Sequence, residues 1–222
     1  MRFQDAARDA RAVVYAGIQA DPLVARVASL LADATVGERW LARAVMNGER
    51  TDPAGWRRIF PTLLGVAAPA EARDHAEQLL AACLQVANRG EQARSSYRGA
   101  VVEDLTARLL ARRSASVRRE RRVLFDGVPA EIHPYDVTVE ADGKPEVYDC
   151  KWGARGINAD VLNQLDDARA HSADDDVALH VAIVVFDARR SCELRLSRST
   201  ARHDDTALVA LEGIESLSKV GR

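Results

Sequence analysis

Residues 176–188, DVALHVAIVVFDA, form a nearly continuous apolar run with β-branched residues at its centre. Such a run predicts a strand buried on both faces. A strand of that kind needs a covering layer on each side, so a sheet flanked by helices follows. The neighbouring segments agree. A helix is expected over residues 95–113, followed by strands in RRVLFDG, EIHPYDVTVEADG and KPEVYDCKWG. Asp142–Gly143 is the hairpin signal between the last two. A polar helix capped by Asn158 is expected over residues 158–171. Beyond the apolar run, SCELRLSRS reads as an edge strand and DTALVALEGIESLSK as a terminal helix or strand. The order α-β-β-β-α-β predicts an α/β fold with a mixed central sheet.

The first ninety residues have a different character and read as helix throughout, an all-helical domain over residues 1–92 preceding the sheet domain over 93–222. Asp21–Pro22 and Asp52–Pro53 each place an N-cap before a proline at the first helical position. Trp56, Ile59, Phe60 and Leu63 recur at helical spacing, and Pro61 is expected to kink or split that segment. Ala76, Leu79, Leu80, Cys83, Leu84 and Ala87 form another apolar stripe, with Gly90 placed to end it. These stripes predict the core of a small bundle, and His75 reads as a surface or boundary residue. The half carries no catalytic pattern, so specificity, dimerisation or partner binding is the expected role. Any surplus apolar surface there, with Trp40 and Trp56 among its residues, would serve a homodimer or a complex with another subunit.

No stretch approaches the ~20 apolar residues of a membrane span, and the N-terminus lacks the apolar core of a signal peptide. Cys83, Cys150 and Cys192 are far apart and form no CxxC pair, which fits a reducing cytoplasm. The net charge of −2 is uninformative, but its distribution is not. Arg108, Arg112, Arg113, Arg118, Arg119, Arg121 and Arg122 cluster against one acid, Glu120. A second scatter runs Arg189, Arg190, Arg195, Arg198, Arg202. Such residues can neutralise phosphates or lie on a solvated face. Lys144, Lys151 and Lys219 are the only lysines among 31 basic residues. The lysine in EVYDCKWG is therefore notable, since lysine can give up its proton and arginine cannot.

Alternation along a strand puts Val147, Asp149 and Lys151 on one face and Tyr148, Cys150 and Trp152 on the other. In the preceding strand Asp136 and Thr138 share a face, with Tyr135, Val137 and Val139 opposite. Paired as a hairpin, the two strands bring Asp136, Asp149 and Lys151 together at one end of the sheet. Asp149 and Lys151 alone would also suit a surface ion pair. Glu103 lies on the apolar stripe of the preceding helix with Ala100, Ala107 and Leu110, where an acid is costly to bury without a cation or metal. Gln164 lies on the helix that follows the strand.

Taken in order, Gly99-x3-Glu103 on the first helix, Pro134-Tyr135-Asp136 on a strand, Asp149-x-Lys151 on the next strand and Gln164 on the following helix resemble the PD-(D/E)XK, or restriction-endonuclease-like, nuclease superfamily. The likeness covers residues 94–188. Tyr135 between the proline and the aspartate departs from the simplest form of the motif. The resemblance implies the restriction-endonuclease-like arrangement of the sheet and a metal-dependent nuclease, with DNA favoured over RNA and a place in prokaryotic genome defence or DNA processing. It implies Mg²⁺ or Mn²⁺ held by Asp136, Asp149 and the carbonyl of Cys150, with Glu103 completing the shell. Lys151 would orient the attacking water or take its proton, and Gln164 would position a phosphate or the first helix. A non-catalytic nucleic-acid-binding or assembly protein keeping the same fold is the alternative. ADDDV at 173–177 reads as a solvated loop, and His203–Asp204 lacks the histidines of a metal phosphohydrolase. No phosphate loop or GxGxxG is present.

Overall fold

A computed structural model of the chain describes residues 1–6, 10–48, 52–129, 133–141, 144–174, 177–201 and 205–219, the side chains of 10–12 excepted. The turn expected at Asp142–Gly143, the His203–Asp204 pair and residues 175–176 of ADDDV lie outside the described residues. The chain divides into a helical unit, Ala10–Leu105, and a sheet unit made of Met1–Asp9 with Thr106–Arg222. The division falls inside a helix, thirteen residues beyond the boundary expected at 92.

The helical unit contains α1 (Ala10–Gln19), α2 (Pro22–Asp33), α3 (Val36–Asn47), α4 (Pro53–Ile59), α5 (Pro61–Leu64), α6 (Ala70–Ala87) and the first part of α7 (Glu91–Ala111). Their starts follow local chemistry. The Asp21 side chain accepts from Leu23 N and that of Asp52 from Gly55 N, both at 2.8 Å, each ahead of a proline at the first position. Thr35 and Glu38 form a capping box on α3. Pro61 does split its segment, into α4 and α5. Leu31, Leu41, Met46, Leu79, Leu80 and Cys83 are fully buried. Of the aromatic stripe, Trp56 is buried, whereas Ile59 is 56% exposed. His75 is only partly exposed, and its Nδ1 meets Oε1 of the buried Glu38 at 2.6 Å.

The sheet unit corrects the expectation of helix from residue 1. Arg2–Asp5 form a strand, β1, followed in the sheet by β2 (Val117–Phe125), β3 (Val128–Pro129), β4 (Tyr135–Val139), β5 (Glu146–Lys151), β6 (His180–Val185) and β7 (Ala207–Ala210). The spatial order is β1-β2-β4-β5-β6-β7, with β3 paired to β2. The first four strands of that order are antiparallel; β5, β6 and β7 run parallel. Every residue of β6 after His180 is buried, as the apolar run requires. α8 (Ala159–Asp174) connects β5 to β6, and Asn158 Oδ1 caps it by accepting from Val161 N at 3.0 Å.

The segment expected as an edge strand is instead a helix, α9 (Arg189–Leu196). The reason is topological: β6 and β7 are parallel neighbours, and a parallel pair needs a crossover, usually helical. Cys192 is buried and Leu196 packs against the same core, an i, i+4 pair that also passes for strand alternation. The terminal segment contains both expected forms, β7 and then a 3₁₀ helix over Leu211–Ser218. Asp126 and Gly127, both at positive φ, close the tight turn between β2 and β3.

Candidate active site at the end of strand β5

β5 is the strand at which the sheet changes from antiparallel to parallel, and Lys151 is its last residue. In open α/β sheets ligands bind outside the carboxyl ends of the strands. The hairpin register is Val137↔Tyr148, Thr138↔Val147 and Val139↔Glu146. One further step would set Asp136 opposite Asp149, as alternation predicts. The two strands have begun to part there, and the side chain of Asp136 takes the place of a ladder bond. Its Oδ2 accepts from Cys150 N at 2.6 Å.

Alternation fails at Tyr135. Its ring is buried in the cluster that holds Val147, Leu162 and Leu165, and its hydroxyl donates to the Gln164 carbonyl at 3.3 Å. It does not share the side of Val137, which pairs with Tyr148. The partner strand gives the physical reason. Glu120, between the paired positions Arg119↔Val137 and Arg121↔Tyr135, has φ 53°, and this kink turns the ends of β2 and β4.

Lys151 Nζ stands 2.5 Å from Asp149 Oδ1. The contact is a close ion pair, and Oδ1 is itself shielded from water. Burial pushes the Asp149 carboxyl above its ordinary range, and the facing ammonium pulls it back only in part. Burial alone would lower Lys151. Asp149 and then Asp136 outweigh it and hold the ammonium above the usual lysine range. The structure thus brings Asp136, Asp149 and Lys151 together, with the lysine cationic. His133 is also close enough to Asp149 to favour its ionised form. Gln164 sits beside this group, where its Nε2 donates to the His133 carbonyl at 3.0 Å and ties α8 to the segment that leads into β4.

Glu103 belongs to the helical unit. It is 4% exposed, and its two oxygens accept from Tyr15 Oη at 2.5 Å and Gln19 Nε2 at 2.7 Å. Gly99 leaves the room for this: a Cβ there would lie 3.0 Å from the Tyr15 hydroxyl. Neutral donors on α1 thus meet part of the cost of burying the acid. Among the described residues no three His, Cys, Asp or Glu side chains stand together as a metal site. The neighbouring carboxylates of Asp136 and Asp149 still fit a hard divalent cation that takes its remaining ligands from water and substrate.

Two positions that the sequence reading passed over shape the site. A Cβ on Gly156 would lie 2.9 Å from both Cγ and Cδ of Lys151, so only glycine leaves the lysine stem its place. Gly156 ends a 3₁₀ turn over Ala154–Gly156. Asp187, just past β6, holds that turn by accepting from Ala154 N at 2.9 Å. WGARG after a strand and an acid ending a buried strand were the legible signals.

The arginine cluster of 108–122 is partly consumed inside the protein. Arg113 donates to both oxygens of Glu146, to the Tyr148 hydroxyl and to the Leu217 carbonyl. Arg121 pairs with Glu140 and Asp5. No helix among the described residues is long and apolar enough to cross a membrane. A scan against protein-family models matched none, and searches of curated proteins and of solved structures returned no match.

Proposed function

We propose that this chain is a metal-dependent nuclease that hydrolyses phosphodiester bonds, with DNA the favoured substrate, acting through Asp136, Asp149 and Lys151. The observation that carries the reading is the partly buried Asp149–Lys151 pair at 2.5 Å with Asp136 alongside, at the carboxyl end of β5. Asp136 and Asp149 would hold Mg²⁺ or Mn²⁺, which when bound supplies charge to the phosphate and acidity to a water. The protein's own groups do the rest. Lys151, held as an ammonium, offers a proton and positive charge to a phosphate oxygen and orients a water by donation. Of the two roles expected for it, this suits the charged form better than that of a base. Gln164 acts through His133 and the start of β4, not on the phosphate.

One observation favours the alternative of a non-catalytic nucleic-acid-binding protein. Glu103, expected to complete the metal shell, already has both oxygens engaged by Tyr15 and Gln19. The two readings part in a cleavage assay on single- and double-stranded DNA and RNA with Mg²⁺, Mn²⁺ or EDTA. We expect metal-dependent cleavage, reduced at least ~100-fold in Lys151→Ala and in Asp149→Ala. Substrate binding without cleavage by the wild-type protein would establish the alternative.

A further inference from the structure

A cavity of about 210 Å³ lies between the start of α8 and the end of α9. Asn158 lines one side; Arg195, Arg198, Ser199 and Thr200 line the other, and no acidic side chain among the described residues contributes. Neither arginine is paired with a carboxylate among the described residues. Arg195 is oriented by donating its Nε to the Ile157 carbonyl at 2.9 Å, which leaves its terminal nitrogens available. The Arg198 side chain is exposed and makes no hydrogen bond or ion pair among the described residues. Ser199 Oγ accepts from Ala201 N at 3.2 Å, so its own proton remains to be donated.

The helix start adds to this. Asn158 caps Val161 N, whereas the preceding amides, Ala159 N and Asp160 N, have no acceptor among the described residues. The positive end of the α8 dipole points the same way. The Asp160 carboxylate, in the first turn of the helix, is not in the lining. Two guanidinium groups, two hydroxyls and open amides form a set of donors with no carboxylate among the described residues to receive them.

We infer that this cavity is a phosphate-binding pocket. On the nuclease reading, on which the source of the phosphate rests, it takes a backbone phosphate of the nucleic acid next to the one attacked. The chain places it so. Gly156 packs on the Lys151 stem, and Asn158 is two residues further on, within about 7.6 Å of Gly156 along the backbone. The same short turn thus carries both the wall of the lysine and the rim of the pocket.

The test is binding in EDTA, where no cleavage interferes. The affinity of labelled single- and double-stranded oligonucleotides is measured against salt by fluorescence anisotropy, and that of inorganic phosphate by calorimetry. Arg198→Gln, at an exposed position, is the main variant; Arg195→Gln is the second, and Arg190→Gln, on α9 but outside the cavity, is the control. The expected result is a fall of about 1 in the salt slope for Arg198→Gln and for Arg195→Gln, with Arg190→Gln unchanged. Binding of inorganic phosphate that Arg198→Gln abolishes, with no oligonucleotide bound, keeps the pocket, assigns it a free phosphate and removes the nuclease reading. Equal slopes in the wild type, Arg198→Gln and Arg190→Gln overturn the pocket even if the protein cleaves DNA. So does a wild-type protein that binds neither ligand.

Discussion

The Asp149–Lys151 pair is a cost to folding before it is an asset to chemistry. Two charges taken from water are tolerated because each is the other's partner. Removing one of them therefore tests burial without any assay of function. Lys151→Ala should lose about 3 kcal/mol in urea denaturation, because Asp149, only 13% exposed, is left without its cation. Adding Asp149→Asn should recover most of that loss. If Lys151→Ala is as stable as wild type, the pair is solvated and the site has no strained charge to use. At this scale much was legible: the DxK spacing on a strand implied that acid and base share a face, and they meet at 2.5 Å. Tyr135 was not legible, since its side is set by a kink at Glu120 on another strand.

Between elements, the clearest device is the network of Arg113 at the end of α7 with Glu146 and Tyr148 on β5. Burial would raise the Glu146 carboxyl, but bonds from Arg113 and Tyr148 outweigh it and hold the group below its ordinary 4.5. A carboxylate with a depressed folded pKa stabilises the fold fully above the unfolded value, and this is lost as pH falls through the folded one. Glu146→Gln should therefore cost about 2 kcal/mol at neutral pH. It should also flatten the loss of stability on acidification below pH 4.5. Chemical denaturation at a series of pH values checks both, and an unchanged acid limb would show that Glu146 does not carry it. The same scale shows why α9 was missed. Alternation over nine residues suited a strand, but the need for a crossover between β6 and β7 depends on which strands are neighbours.

For the whole molecule, the notable feature is that β1 and the rest of its sheet are separated in sequence by the helical unit. β1 pairs with β2 across more than a hundred residues, Arg2 opposite Leu124 and Asp5 opposite Arg121. Met1 and Phe3 pack on the sheet core. Deleting residues 1–6 would bare the edge of β2 and that part of the core. We expect a fall in melting temperature of about 5 °C or more, with aggregation that rises with concentration. A truncated protein that melts with the wild type and stays monodisperse would mean that β1 adds nothing to the sheet.

What the sequence alone determined is what neighbours along the chain control. Asp21 and Asp52 capped their helices, Asn158 capped α8, Pro61 split its segment, and the run after residue 179 made a strand buried on both faces. These depend on contacts within a few residues and on periodicity, which a sequence displays directly. Only the tertiary structure decided the partners. It placed residues 2–5 in the sheet, gave Glu103 to Tyr15 and Gln19, fitted Gly156 against Lys151 and joined the start of α8 and the end of α9 around one cavity. Each of these joins groups distant along the chain or fills a space that exists only after folding, and no local pattern encodes such a meeting.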